Sequence, residues 1–364
     1  MEKYLKYIFL YFASFVLRLF ARQKKGLLLF SARGGANFEG NSRYLYLYAV
    51  KNTDYQCYWI SKNKDEIATL HKNGINAIYY FTFTALLKSV QAEAVFITHS
   101  ISDVMPSFYG WNTKIIDLWH GITIKKVSFW DKNLGFKSRL MDYLKSKRLS
   151  YYISNAKEFE SIYERSFKLK KEKIRSYGYS RIEYLMEPSL FGLSHKSLLS
   201  NESETVLYCP TFRDYEYQNP LLESQNLIKL ERELIENNLI LYLKLHPEEK
   251  TPKIDCFERI RVIDSAVDIY ELLPAVDILL SDYSSVVFDF LMAYRDRKLI
   301  LFTPDLSKYE RQRGFSIEFE KIFADYIVNS VQELDFSKAK KMSFYFRQEA
   351  NCSERILSLL NENR

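Results

Sequence analysis

Cysteine is scarce: four in 364 residues, Cys57, Cys209, Cys256 and Cys352, widely scattered and with no CxxC pair. A disulfide framework and a cysteine zinc site are therefore excluded, and reduced thiols in a cytosolic protein are the plain reading. The N-terminal uncharged run covers only residues 7–17, short of the roughly 20 residues that span a bilayer as a helix. No small-residue cleavage site follows it, which speaks against a signal peptide. Also missing are a D-x-D carboxylate pair, a Walker loop and a clean G-x-G-x-x-G, since "GGANFEGN" has the wrong spacing. Phosphate charge would then be met by hydrogen-bond donors and dipoles, with no divalent metal or other cofactor implied. Low-complexity tracts and internal repeats are absent as well.

What is present is the composition of a folded chain, 47% hydrophobic, 27% charged and 16% aromatic, at a length suited to two domains with separate cores. The net charge of +7 is concentrated. Residues 121–150 hold eight basic side chains against two acidic ones, interleaved with Phe129, Trp130, Phe136, Leu140, Met141, Tyr143 and Leu144. This segment and residues 1–25, aromatic with flanking Lys and Arg, both read as amphipathic helices for an anionic membrane surface. The bland alternatives are a helix packed on the protein's own core and a solvated basic face. No nucleic-acid module is recognisable.

Strand-like and helix-like runs alternate in both halves. "GLLLFSA", "AVFITHS" and "TKIIDLW" in the first half, and "ETVLYCPTF", "LILYLKLHP" and "VDILLSD" in the second, are continuous apolar strands. They imply parallel sheets covered on both faces. The expected division is a membrane-associating helix over 1–25, a Rossmann-like domain over 26–190, a second over 191–330, and a helical brace over 331–364, with the active site in a cleft between the two domains.

Several strand ends carry chemistry. "LWHGITIKK" puts His120 and Gly121 where a strand gives way to a loop, ahead of Lys125 and Lys126. "CPTFRD" delivers Thr211 and Arg213, "LKLHPEE" delivers His246 with Pro247 ending its strand, and "DYSSVVFDF" places Asp282, Ser284 and Ser285 at a helix start. An imidazole, a guanidinium and free helical N–H groups at one edge of a parallel sheet make a phosphate or pyrophosphate pocket. Taken singly, the serines read as an ordinary N-cap, His120 as a packed, hydrogen-bonded structural residue, and the His246-Pro247 pair as a weak signal.

These four segments and two more, six in order, resemble the CDP-glycerol glycerophosphotransferases of teichoic acid and capsule synthesis over about residues 27–320. "LWHGITIKK" is similar to that family's Trp-His-Gly-Thr-Pro-x-Lys-Lys, "YGYSR" to Gly-Tyr-Pro-Arg, and "CPTFRD" to Ala-Pro-Thr-x-Arg. "LKLHP" matches its His-Pro, "DYSSVVFD" its Asp-Tyr-Ser-Ser-x-x-Phe-Asp, and "YERQRG" its Tyr-x-x-x-Arg-Gly. Ile122, Ile124, Ser180, Ile182 and Glu183 depart from the pattern, which bears on the polyol and the acceptor more than on the reaction type.

The resemblance implies an α/β fold of GT-B type, with two Rossmann-like doubly wound domains. It also implies a peripheral enzyme on the inner face of the cell membrane, moving glycerol phosphate from CDP-glycerol to a hydroxyl of a lipid-linked or capsular glycan and releasing CMP. His120 and His246 would be catalytic. Thr211, Arg213, Asp282, Ser284, Ser285, Arg313 and Gly314 would bind the donor, and Gly121, Lys125, Lys126, Arg181 and Asp289 would contact acceptor or phosphate. CDP-ribitol transfer and a CMP-sugar transferase of the sialic acid or Kdo type are the rival enzymes, and a non-catalytic membrane scaffold is the rival class. With no large extra region for a growing polymer, a single addition is favoured over polymerisation.

Overall fold

A computed structural model describes residues 2–104, 109–195, 199, 203–213, 215–246, 248–341 and 348–362. The chain forms two compact units, one of residues 1–120, 128–194 and 348–364, the other of residues 121–127 and 195–347.

The first unit contains α1 (Glu2–Phe20), β1 (Lys24–Phe30), α2 (Gly40–Asn52), β2 (Gln56–Ser61), α3 (Lys64–Lys72), β3 (Ala77–Tyr79) and α4 (Phe83–Gln91). It continues with β4 (Ala92–Ile97), β5 (Lys114–Asp117), α5 (Phe136–Arg148), β6 (Tyr151–Ser154), α6 (Glu160–Phe167), β7 (Ile174–Ser176) and α7 (Ser180–Met186). The seven strands run in the order β3-β2-β1-β4-β5-β6-β7. Every pairing is parallel, so both faces need cover, and Leu28, Leu29, Phe30, Val95 and Phe96 are fully buried.

The second unit holds β8 (Glu204–Tyr208), α8 (Ser224–Glu236), β9 (Leu239–Leu243), β10 (Ile260–Val262), α9 (Ile269–Leu272), β11 (Ile278–Ser281) and α10 (Val286–Ala293). After these come β12 (Lys298–Phe302), α11 (Leu306–Arg313), α12 (Phe319–Phe323), β13 (Ile327–Val328) and β14 (Lys340–Lys341). Its order, β10-β9-β8-β11-β12-β13, repeats the doubly wound pattern. Each unit therefore reverses direction once, between β1 and β4 and between β8 and β11, and the crevice beyond the strand ends at such a switch point is where ligands bind in these sheets.

Two boundaries differ from expectation. The segment 331–364 is not one helical brace. Its first part stays in the second unit as a 3₁₀ turn at Phe336–Lys338 and as β14, antiparallel to β12. Residues 348–364, with α13 (Cys352–Ser358), belong to the first unit. There the buried Lys114 ammonium donates to the carbonyls of Leu359, Leu360 and Glu362 at 2.8, 2.7 and 2.7 Å, a cation at the carbonyl end of a helix. The basic stretch 121–150 also divides: residues 121–127 pack in the second unit, while α5 lies in the first.

Among the described residues no helix is long and apolar enough to cross a membrane. α1 instead leaves Ile8, Phe9, Phe12, Leu19 and Phe20 exposed, Phe12 by 68%, and α5 exposes Phe136, Leu140, Met141 and Leu144, Phe136 by 83%. The last turns of these helices are near each other. The Arg18 guanidinium lies 3.4 Å from the centre of the Trp111 ring, and the like charge of Arg148 helps depress its pKa after burial.

Candidate active site

In the first unit β4 and β5 are parallel neighbours with Ile97 beside Asp117, so the loops that follow them start level. This brings His99 and His120 together as a parallel stack, with ring centroids 4.1 Å apart and planes 8° from coplanar. Trp119 packs on His120 at 3.9 Å. The Thr98 carbonyl lies 3.0 Å from Nδ1 of His120. A carbonyl only accepts, so Nδ1 carries the proton and Nε2 keeps its lone pair.

The backbone around this imidazole is tightly specified. Trp119 takes a left-handed φ of 51° while its N–H donates to Asp117 Oδ1 at 2.9 Å. Gly121 has φ 138°, which excludes a side chain. Asn41 Nδ2 donates to the carbonyls of Leu118 and Trp119, and Arg181 Nη1 to that of His120, each at 3.0 Å. Lys145 bridges Asp117 Oδ2 and the His99 carbonyl at 2.6 Å each. The buried Asp103 gathers the backbone N–H groups of Gly34, Thr98, His99 and Ser100 at 2.9 to 3.1 Å, tying the β1 and β4 loops together.

Solvent still reaches His120, but its pKa lies well below the ordinary value. Dense surroundings are the largest cause, followed by the neighbouring His99, with Arg181 and Lys145 pressing the same way. The ring is thus held neutral, with its proton on Nδ1 and Nε2 unprotonated.

In the second unit the ends of β8, β11 and β12 converge on Arg213. Its guanidinium meets Asp282 Oδ2 at 2.9 Å and both oxygens of Asp305, at 2.9 and 3.1 Å, and donates to the Thr211 carbonyl. The rings of Tyr217, Tyr283 and Tyr309 surround it, with centroids 4.9, 4.8 and 5.1 Å from Cζ. Thr211 donates to Asp282 from its backbone at 2.9 Å and from its hydroxyl at 2.6 Å. Burial alone would raise the Asp305 carboxyl, but hydrogen bonds from Arg213 and Tyr215 hold it below its ordinary value.

His246 follows β9, half-buried and stacked on Phe212 at 4.6 Å. The Glu248 N–H lies 3.3 Å from its Nδ1. That contact needs an acceptor, which leaves the proton on Nε2. Pro247, expected to end the strand, lies outside the described residues. Ser284 and Ser285 are half-buried at the start of α10, where Ser284 Oγ is 3.4 Å from the Val286 N–H and Ser285 makes no side-chain cap bond. A cavity of about 1010 Å³ opens beside Phe212, lined also by Tyr217, Asn219, Glu248, Glu249 and Thr251.

The two lysines belong to this unit. Lys125 pairs with Phe315 as an antiparallel bridge, and the Lys126 N–H donates to the Gly314 carbonyl at 3.1 Å. Gly314 has φ 66°, and a Cβ there would come within 3.1 Å of Lys126 Cδ. Arg313, half-buried, ends α11 just before it.

Three expectations about roles change with these positions. Arg213 is enclosed by two carboxylates, so it organises the strand ends instead of offering a free cation to phosphate. Arg181 is 3% exposed and supports the His120 backbone. Asp289 has no accessible surface and accepts from the Tyr270 hydroxyl at 2.5 Å, an internal brace of α10 instead of a substrate contact. Sequence reasoning did not single out His99, Asp103, Lys145 or Asp305. The "THS" closing the β4 run was the available signal for His99, because adjacent parallel strands end together. Among the described residues no three His, Cys, Asp or Glu side chains group as a metal site.

Residues 11–352 match the family described as CDP-Glycerol:Poly(glycerophosphate) glycerophosphotransferase. The chain is 25% identical over 319 residues to the teichoic acid glycerol-phosphate transferase of Staphylococcus aureus, covering 82% of this chain and 79% of that one. It is 27% identical over 332 residues to the teichoic acid poly(glycerol phosphate) polymerase of Bacillus subtilis, covering 85% of this chain and 43% of the polymerase, less than half its length. The solved wall teichoic acid polymerase TagF superposes with a TM-score of 0.69 at 21% identity, over 85% of this chain and 78% of that one. That likeness bears on the fold, two Rossmann-like units of the GT-B kind.

Proposed function

The chain belongs to the CDP-glycerol glycerophosphotransferase family and is a glycerol-phosphate transferase of the teichoic acid kind, and from that premise we propose how its two sites divide the reaction. A hydroxyl of a lipid-linked or capsular glycan attacks the phosphorus that carries glycerol in CDP-glycerol. The bond from that phosphorus to the bridging oxygen breaks, CMP leaves with the electron pair, and the hydroxyl proton passes to Nε2 of His120. In phosphoryl transfer the protein mainly positions reactants and stabilises charge, so one well-placed base and a set of fixed donors suffice. The observation that carries this reading is the Thr98 carbonyl on Nδ1 of His120, which leaves the other nitrogen as the proton acceptor.

The donor belongs to the second unit. Nε2–H of His246 stabilises the departing phosphate, and the start of α10 at Ser284 and Ser285 supplies dipole and donors. Lys125, Lys126 and Arg313 add charge toward the pyrophosphate, a role favoured by the hydrogen bonding of the lysine segment to Gly314 and Phe315. Thr211, Arg213 and Asp282 hold this edge in shape. The enzyme works from the cytoplasmic face of an anionic membrane, on which the exposed apolar residues of α1 and α5 rest. The assay is CMP release from CDP-glycerol with a lipid-linked glycan acceptor, run beside CDP-ribitol and CMP-sialic acid. Turnover of CMP-sialic acid alone would replace this reading with the sugar-transferase one.

A further inference from the structure

We propose that His99 and His120 act as a stacked pair that holds one proton at a time, with His99 taking the first, so that His99 keeps its neighbour available as the base. This rests on His120 being the base. The geometry supplies the coupling: two imidazoles with centroids 4.1 Å apart and nearly coplanar cannot both become cations without strong mutual repulsion.

The surroundings decide which ring is charged first. Around His99 stand the carboxylates of Asp103 in its own loop, Asp117 at the end of β5 and Glu39 before α2, opposed by the cation Lys145 of α5. His120 instead faces two cations, Lys145 and Arg181 of α7, in addition to His99 itself. Carboxylates favour imidazolium on one ring and cations oppose it on the other, so the first proton goes to His99. Burial is the largest influence on both rings and lowers each below the ordinary histidine value.

The rings are also fixed differently. His120 is anchored through the Thr98 carbonyl, while Nδ1 of His99 meets the Thr98 hydroxyl 2.8 Å away. One threonine thus holds both imidazoles, its carbonyl setting the base tautomer and its hydroxyl, which can donate or accept, following the charge state of the partner. His99 is a positioning residue in this scheme.

The test is an NMR titration of ¹³C-labelled histidine in the full chain, beside a pH–rate profile, for wild type and for His99→Phe, which keeps an aromatic ring in the stack but cannot titrate. The expected result is that in wild type His120 charges only after His99. In His99→Phe its titration moves up by about one pH unit, the scale of coupling that makes two sites titrate as a pair. The acid limb of kcat/KM, two-step in wild type, becomes a single ionisation. An unchanged His120 titration in the variant, or two superimposable titrations in wild type, overturns the pair. His99→Asn serves as the second variant, and the wild-type titration needs no variant at all. Because the NMR readout is independent of turnover, full activity of His120→Ala would remove the base assignment while leaving the proton-sharing result to be read on its own.

Discussion

The two units share a strand order and each builds its site at its own switch point, yet their histidines are set in opposite states. In the first unit a carbonyl fixes Nδ1 of His120 as the donor, so the free edge of the ring accepts a proton. In the second an N–H fixes Nδ1 of His246 as the acceptor, so the free edge donates. One backbone group apiece separates an accepting ring edge from a donating one, the difference on which the proposed roles of base and phosphate ligand rest. The cations differ in the same spirit. Burial and the neighbouring His99 hold the His120 pKa down, with Arg181 and Lys145 adding to them, whereas Arg213 is matched by Asp282 and Asp305 and serves shape.

The largest effect should come from breaking the first half of the contrast. His120→Ala should lower kcat by about 10²- to 10⁴-fold, the usual worth of a positioned proton transfer, with the KM for CDP-glycerol little changed. Activity within a few-fold of wild type would take His120 out of the base role. Next in size is Arg213→Met, which leaves the nearly buried Asp282 and Asp305 carboxylates without their cation. Removing one partner of a buried pair costs about 3–5 kcal/mol, and urea unfolding should show a loss of that order. Replacement of His246 by Ala should cost about 10²- to 10³-fold, as for one lost donor to developing charge.

Glutamine sharpens the comparison further, because its amide can donate as Nε2–H does but cannot take up a proton. His246→Gln should recover part of the lost rate and His120→Gln none. Equal behaviour of the two glutamine variants would dissolve the distinction. The pH dependence follows the same sign. A neutral base with a lowered pKa keeps kcat/KM level on acidification until the pH is below about 6.5, the value of an unperturbed histidine. An unfolded chain binds that proton more readily than the folded one, so stability falls as pH drops from about 6.5 toward the depressed value. His120→Phe should flatten that part of the stability curve, as read by thermal melts at several pH values.

How much of this the sequence could convey depended on whether a feature was local. Parallel sheets were legible because "GLLLFSA" and "DILLSD" are apolar without alternation, and His120, His246 and the Ser284–Ser285 turn stood out because strand ends carry them. Pairings between distant segments were not legible. Nothing in "THS" says that its ring will stack on His120, which depends on β4 and β5 being neighbours. Nothing in "TPDLSK" says that Asp305 will meet Arg213, or in residues 121–127 that they will join Phe315 in the second unit. The helical reading of 331–341 failed because edge pairing with β12 outweighed local preference in so short a segment.

The smallest effect concerns the surfaces of the two units. The first exposes clustered aromatic and aliphatic side chains on α1 and α5, the second mainly the isolated Ile228 and Ile235 on α8. A membrane-resting role assigns that asymmetry to lipid: each apolar side chain that enters the interface gains by leaving water, and each Lys or Arg near anionic headgroups adds about 1 kcal/mol. Lys132 and Lys137 are exposed and lie outside both sites. Changing both to Ala should therefore weaken co-sedimentation with phosphatidylserine-containing vesicles by about ten-fold or more at low salt. The difference should fade as salt shortens the screening length. Phe12→Ser with Phe136→Ser should weaken binding to neutral and anionic vesicles alike, since its contribution carries no charge. Ile228→Ser with Ile235→Ser in the second unit should change neither. If the second-unit pair matters as much as the first, the apolar helices are not what sets one unit against the membrane.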